Sequence, residues 1–137
     1  MRDTLTKKIL VLTLGLLILS IPVFGHHGTN ISYDSSKPVV MKAVMTDFRY
    51  ANPHPQLFFD VTDETGKVTK WAAEVAPTPF TLQQNGWNKS RSTEALKPGT
   101  KVTVTLGPAR AGTPVGLLIK VVNEQGEELL RGGRDNE

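Results

Sequence analysis

Apolar and polar residues alternate along most of the chain after residue 37, which is the pattern of half-buried β-strands. In residues 39–50 one face carries Val39, Met41, Ala43 and Met45, and a mixed second face carries Val40, Lys42, Val44, Thr46 and Phe48. Asn52-Pro53-His54-Pro55 follows, and its two prolines lack the backbone N–H that a continuing strand needs. The pattern therefore predicts one long first strand that ends before this loop.

Four further segments repeat the alternation and are separated by turn sequences. They predict strands over residues 56–63, 68–75, 101–106 and 115–123, with a short sixth strand over 127–130. Asp63-Glu64-Thr65-Gly66 lies between the second and third strands and predicts a hairpin. The predicted core positions of these strands are Leu57, Phe59, Val61, Trp71, Ala73, Val75, Val102, Val104, Leu106, Leu117, Ile119 and Val121.

One short helix is predicted between the third and fourth strands. Thr78 followed by Pro79 has the form of an N-cap and a first helical residue, and Gly86 is placed to end the helix about two turns later. Trp71 and Trp87 are predicted to pack in the core, which is the usual place for such large side chains.

The order of these elements predicts a mainly β fold, a small five-stranded OB-like Greek-key barrel with one short helix between strands 3 and 4. An open sandwich or meander is the alternative, because alternation does not reveal which strands are neighbours. We expect an N-terminal extension over residues 26–36, the barrel over 37–130, and a frayed tail over 131–137, where apolar residues are absent.

Residues 1–25 have the three parts of a secretory signal. Arg2, Lys7 and Lys8 supply the positive start, residues 9–24 form an apolar run, and Gly25 supplies a small residue for cleavage. These features predict an exported protein, periplasmic or extracellular, that begins at His26 after cleavage. A retained membrane anchor is the alternative, because sixteen apolar residues approach the lower limit of about 17 for a spanning helix.

Removing the leader changes the charge balance. The chain has 16 Lys and Arg against 13 Asp and Glu, for a net charge of +3. Three of the basic residues and one acidic residue lie in the leader, so the mature part is close to neutral. A near-neutral domain attracts phosphate weakly, and we expect no nucleic-acid partner. Cysteine is absent, which excludes disulfides and thiolate chemistry.

The three histidines of the chain suggest a metal site. Cleavage after Gly25 would place a free α-amine and the imidazoles of His26 and His27 at the new N-terminus. Imidazole nitrogen suits copper, zinc and nickel. His54 is the one imidazole available from another segment, and Glu74 offers a carboxylate. These four residues are the predicted ligands, with copper as the ion that best competes with a proton for the amine.

Structural roles for the same residues are the alternative. His-His at a chain end is often only solvated, and His54 between two prolines is typical of a turn residue. Asn52 before proline is a common turn starter whose side chain caps its own backbone. Glu74 lies on the strand face opposite Trp71, where it is expected to pair with Lys42 or Lys70 across strands.

Enzyme activity is not expected from the sequence. It contains no Ser-His-Asp arrangement, no phosphate-cradling glycine loop and no paired-carboxylate motif. The second functional hypothesis is a non-enzymatic module of the cell envelope that binds a glycan, a peptide or a protein. Its predicted contact residues are Asn52, Tyr50 and Phe58, because the two aromatic residues fall outside the predicted core faces.

Several short motifs are spread over the mature part of the chain. They are His26-His27-Gly28, Asn52-Pro53-His54, Trp71 with Glu74, Asn85-Gly86-Trp87 and Leu96-Lys97-Pro98-Gly99. Together they resemble a family of short exported bacterial proteins to which no function is assigned. Members of that family typically open with His-His-Ser, whereas this chain has His-His-Gly, so a role for that hydroxyl does not carry over. The resemblance implies export but no activity.

Overall fold

A computed structural model describes residues 32–132 of the chain. The predicted signal peptide with its cleavage site, His26, His27 and residues 133–137 lie outside the described residues. The strands are β1 (Val39–Arg49), β2 (Gln56–Thr62), β3 (Val68–Glu74), β4 (Lys101–Pro108), β5 (Val115–Asn123) and β6 (Glu128–Arg131). Two short helices, α1 (Pro79–Gln84) and α2 (Lys89–Ala95), connect β3 to β4. Between residues 32 and 132, no helix has the length and apolar character needed to cross a membrane.

Five strands close into a barrel. Their order is β3-β2-β1-β4-β5, and a parallel pairing of residues 72–74 in β3 with residues 115–117 in β5 joins the two ends. Strand β6 pairs with the far part of β5. This arrangement confirms the predicted OB-like barrel and excludes the open meander. The hairpin of β2 and β3 is also confirmed, with Thr62 opposite Val68 next to the turn.

Helix α1 is the predicted helix and has the predicted N-cap. Helix α2 is a second, separate helix that was not predicted. The Thr81 N–H donates to the Thr78 hydroxyl at 3.3 Å, and Pro79 begins α1. Helix α2 begins after Asn88, whose side-chain oxygen accepts the Arg91 N–H at 2.9 Å. Its seven residues, KSRSTEA, contain a single apolar side chain. Hydrophobic periodicity therefore gave no signal for α2.

A β-bulge in β1 changes which residues face the core. The register between β1 and β2 shifts between Met45 and Asp47, so the strand gains one residue relative to its partner. As a result Met45 and Phe48, which are 1% and 9% exposed, both lie in the core. The prediction that Phe48 lies on the mixed second face, opposite Met45, is wrong for this reason.

The core fills the barrel and extends below α1 and α2. In the β4–β5 pair the register shifts between Thr105 and Leu106, where β5 has one extra residue, Ile119. Leu118, which lay outside the predicted face of β5, is therefore fully buried, while Ile119, which was predicted to face the core, is half-buried. Trp71 and Trp87 are partly buried and pack against the core, as predicted. The buried apolar residues are Ala43, Met45, Phe48, Leu57, Phe59, Ala73, Val75, Leu82, Leu96, Val102, Val104, Leu106, Leu117, Leu118, Val121 and Leu130.

Candidate functional site

The barrel brings His54 and Glu74 together. His54 lies in the loop between β1 and β2, two residues before Gln56, and Gln56 pairs with Glu74 at the end of β3. The Val75 N–H donates to the Pro55 carbonyl at 2.9 Å, which holds the loop against this strand end. As a result His54 Nε2 is 4.0 Å from Glu74 Oε1. Two of the four predicted metal ligands are therefore neighbours.

Both side chains are partly exposed, His54 by 34% and Glu74 by 28%. A small ion can therefore reach them, while the surrounding chain limits their movement. The second ring nitrogen of His54, Nδ1, is buried and has no hydrogen-bond partner within residues 32–132. Nε2 is the nitrogen that faces Glu74, so it is the one oriented to share a ligand with the carboxylate.

Tyr33 is a third member of the site, and the sequence pattern did not predict it. Its hydroxyl donates to Glu74 Oε2 at 3.4 Å, whereas His54 is near the other carboxylate oxygen, Oε1. Burial, followed by the negative charge of Glu74 and the hydrogen bond to it, raises the pKa of the Tyr33 phenol. The phenol is therefore a neutral donor at neutral pH. A tyrosine in a polar segment without periodicity gave no signal of this contact.

Tyr33 belongs to a segment that we call the N-terminal strap, residues 32–37. The Asp34 N–H donates to the Pro108 carbonyl at 2.9 Å, and the Arg110 N–H donates to the Ser32 carbonyl at 2.9 Å. Tyr33 also forms an isolated antiparallel bridge with Ala109. The strap is thus bound to the end of β4 and to the loop that follows it.

The predicted terminal ligands are close to the strap along the chain. His27 precedes Tyr33 by six residues, and an extended chain spans at most about 3.6 Å per residue, or roughly 20 Å here. Because Tyr33 itself contacts Glu74, that length is enough for the imidazoles of His26 and His27 to reach the His54–Glu74 pair.

The prediction that Glu74 pairs with Lys42 or Lys70 is wrong. Its carboxylate contacts Tyr33 and His54, and neither Lys42 nor Lys70 pairs with it. The prediction that Glu74 lies on the face opposite Trp71 is nevertheless confirmed, because Trp71 packs against the core and Glu74 faces outward. In the part of the chain that the structure describes, no group of three or more His, Cys, Asp or Glu residues is arranged to hold a metal ion.

A comparison with protein families shows the family of the chain. A family model matches residues 14–120, which include the three histidines, Tyr33 and Glu74. The chain belongs to DUF6152, a family of unknown function. The match confirms the family resemblance seen in the sequence motifs. No curated protein and no solved structure matches the chain.

Tyr50, a predicted ligand-binding residue of this DUF6152 chain, is partly buried. Its hydroxyl lies 2.9 Å from the Pro79 carbonyl and 3.0 Å from the Trp87 carbonyl, to which it donates. Its ring meets Phe48 edge to face, with centroids 6.2 Å apart. Burial raises the pKa of the Tyr50 phenol. These contacts tie the loop after β1 to the helical segment.

The other two residues predicted to bind a glycan or peptide lie apart from Tyr50. Asn52 is exposed in the loop. Phe58 is half-buried on β2, and the Arg49 guanidinium lies over its ring, 4.6 Å from the centroid. Arg49 is also paired with Asp47 at 3.0 Å. One face of Phe58 is therefore covered by a neighbouring side chain.

A separate groove of about 420 Å³ crosses the outer surface of β2, β1 and β4. It contains none of the residues predicted to bind a ligand. Its charged residues are Lys42, Lys101, Asp60 and Glu124, none of which forms an ion pair with another residue in 32–132. The remaining lining residues are Ala43, Val44, Thr62, Val102, Thr103 and Asn123.

The contacts of Tyr50 predict a structural effect. Replacing Tyr50 with phenylalanine leaves the Pro79 and Trp87 carbonyls without this donor, so the free energy of unfolding should fall by about 1 kcal/mol. Urea denaturation followed by tryptophan fluorescence measures this loss. Tyr33→Phe is the matched control, with a smaller expected loss because its hydrogen bond is longer. Equal stability of Tyr50→Phe and the unchanged protein would contradict the prediction.

Proposed function

We propose that this chain is exported and that, after processing, it binds a transition-metal ion, with Cu²⁺ as the best-suited ion. The ligands are the N-terminal amine, His26, His27, His54 and the carboxylate of Glu74. The observation that carries the proposal is the 4.0 Å separation of His54 Nε2 and Glu74 Oε1 at an accessible position. The strap supports it, because Tyr33, six residues after His27 in the sequence, contacts the same carboxylate.

The donor set suits the chemistry of copper. Cu²⁺ prefers tetragonal sites built from nitrogen and oxygen, and imidazole is a good ligand for it. The Tyr33 hydroxyl occupies Glu74 Oε2 and leaves Oε1 facing His54, which is the kind of outer contact that orients a metal ligand. Because an α-amine titrates near 7.7–8.0, the ion competes with a proton there, and we expect affinity to rise with pH up to that range.

Export is supported by the leader. Its positive start, its apolar run and Gly25 at the end have the form of a signal peptide. The family match begins at residue 14, within the apolar run, so part of the leader is common to the family model. Cleavage after Gly25 is required by the proposal, because only then does His26 carry a free amine.

The test is a Cu²⁺ titration of the processed chain recovered from the exported fraction, with native mass spectrometry to give the N-terminus and the stoichiometry. We expect one Cu²⁺ per chain and nitrogen hyperfine structure in its electron paramagnetic resonance spectrum. A matched chain with one alanine added before His26 should bind at least tenfold more weakly, about 1.4 kcal/mol, because its amine is displaced. A processed chain that stays free of copper would overturn the proposal.

The outer groove supports a second candidate, a module that binds a glycan, a peptide or a protein. Its volume of about 420 Å³ is within the range of about 300–1,000 Å³ that is typical of ligand sites. Lys42 and Lys101 offer cations, while Asp60 and Glu124 offer carboxylates. The chain with one alanine added before His26 distinguishes the two candidates. Ligand affinity in this groove should not change with that addition, whereas Cu²⁺ affinity should fall.

A further inference from the structure

The groove of about 420 Å³ lies at the far end of β2 from the His54 loop, and a row of three residues crosses it. Val44 of β1 is paired with Asp60 of β2 on one side and with Lys101 of β4 on the other. Residues directly opposite each other on neighbouring strands point to the same face of a sheet, and Val44 is 41% exposed. The row therefore presents a carboxylate at one end, an apolar side chain in the middle and an ammonium at the other end.

A second cation lies beside this row. Lys42 precedes Val44 by two residues, so it points to the same face of β1, and it is paired with Thr103 of β4. Glu124 follows the last residue of β5, on the other side of β4 from β1, and lies at the rim outside the row. The cations are thus grouped on β1 and β4, whereas the carboxylate of the row is on β2.

The four charged side chains of the groove are not paired within residues 32–132. The ion pairs between those residues are formed by other side chains and include none of Lys42, Asp60, Lys101 and Glu124. Lys70 lies opposite Asp60 on β3, but the two do not form an ion pair either. These charges are therefore available to a ligand.

The mixture of signs favours one chemical class of ligand. A ligand with only negative groups would meet the like charge of Asp60, and one with only positive groups would meet those of Lys42 and Lys101. Among residues 32–132, no aromatic side chain lines the groove, so it offers no ring on which a sugar could stack. A zwitterion, which carries an ammonium and a carboxylate, is complementary to both ends of the row.

The spacing of the row sets the length of that zwitterion. Neighbouring strands are about 4.8 Å apart, so the backbones at Asp60 and Lys101, two strands apart, are separated by about 10 Å. An extended peptide of about three residues spans at most roughly 10 Å. We propose that this groove binds a short peptide with free ends, its ammonium at Asp60 and its carboxylate at Lys101 and Lys42. The inference rests on the second candidate function and does not depend on the metal site.

Trialanine is the probe, because its side chains carry no charge. The processed chain, labelled with ¹⁵N and freed of metal by dialysis against EDTA and then against buffer of low ionic strength, is titrated with it and followed by NMR. We expect saturable shifts of the Val44 and Thr103 amide signals. N-acetyl-trialanine and trialanine amide each lack one charge, so each should bind about fivefold more weakly, the upper range for an exposed ion pair.

Two substitutions assign each end of the peptide to its residue. Asp60→Asn should weaken trialanine about fivefold but leave the affinity for N-acetyl-trialanine unchanged, because that peptide has no ammonium to lose. Lys101→Gln should likewise weaken trialanine and leave trialanine amide unchanged. Glu64→Gln and Lys67→Gln are the matched controls, since both residues are exposed in the β2–β3 turn and neither lines the groove. Their affinity for trialanine should match that of the unchanged protein.

The outcomes distinguish this inference from the functions proposed for the chain. Shifts with the trisaccharide maltotriose but not with trialanine would overturn it and leave the groove as a glycan site. The absence of any shift up to the solubility limit of trialanine would overturn it and leave the metal site standing. Equal weakening of both peptides by Asp60→Asn would also overturn it, because the ammonium would then have no specific partner there. Failure of the chain to bind Cu²⁺ would leave the peptide result unaffected, since the titration is done without metal.

Discussion

Replacing His54 with alanine will lower the affinity of the processed chain for Cu²⁺ by about 100-fold. Loss of a residue that only supports a metal ligand costs about 10- to 100-fold in metal affinity, and His54 is itself a proposed ligand. His54 is the one imidazole that residues 32–132 contribute, and its Nε2 faces the Glu74 carboxylate. Without it, the terminal nitrogens have only the carboxylate as a partner on the barrel. Competition titration with a chelator of known affinity measures the change.

Asn52→Ala is the matched control for this substitution. Asn52 lies in the same loop, two residues before His54, and its side chain is exposed. Its removal should leave Cu²⁺ affinity within twofold of the unchanged protein. Full retention of affinity in His54→Ala would show that the terminal histidines bind copper by themselves, and the barrel would then have no part in the site.

Replacing Gly116 with alanine will lower the free energy of unfolding by about 3 kcal/mol, because a tightly packed interior resists added atoms. The new Cβ would overlap Leu106 Cδ1 and lie 2.8 Å from the Gly107 carbonyl oxygen. Leu106 is fully buried, so it has little room to move. Gly116 is also opposite Ala73 in the β3–β5 pairing that closes the barrel. Urea denaturation measures the loss.

Gly112→Ala separates this steric effect from backbone strain. Gly112 lies in the loop between β4 and β5 with φ +75°, and a Cβ there would meet no atom within 4 Å. Its substitution should cost about 1 kcal/mol through the backbone alone. Equal losses for the two glycines would rule out overlap with Leu106 as the cause.

The regular parts of the fold were predictable because their signals are local. Strand β5 was predicted with the bounds that the structure has, and Thr78-Pro79 marked the start of α1. The direction of Glu74 followed from alternation along β3 alone. Each of these features depends on residues within one turn or two of the chain, where side-chain periodicity and capping act directly.

The irregular parts were not predictable in the same way. Phe48 faces the core because a bulge between Met45 and Asp47 shifts the alternation, and the bulge is fixed by the pairing of β1 with β2. Helix α2 is stabilised by the Asn88 cap and by packing of the residues that follow it, with Leu96 fully buried. In both cases contacts with other elements override the local pattern.

The sequence by itself determined the strands, the first helix, the family and the residues with metal-binding chemistry. Only the tertiary structure decided which of those residues meet. His54 and Glu74 come together through the register of β2 and β3, and Tyr33 reaches Glu74 from 41 residues away in the chain. The chemistry of a side chain follows from its residue type. Proximity between distant residues depends on strand order, register and barrel closure, and the alternation along one strand does not specify these.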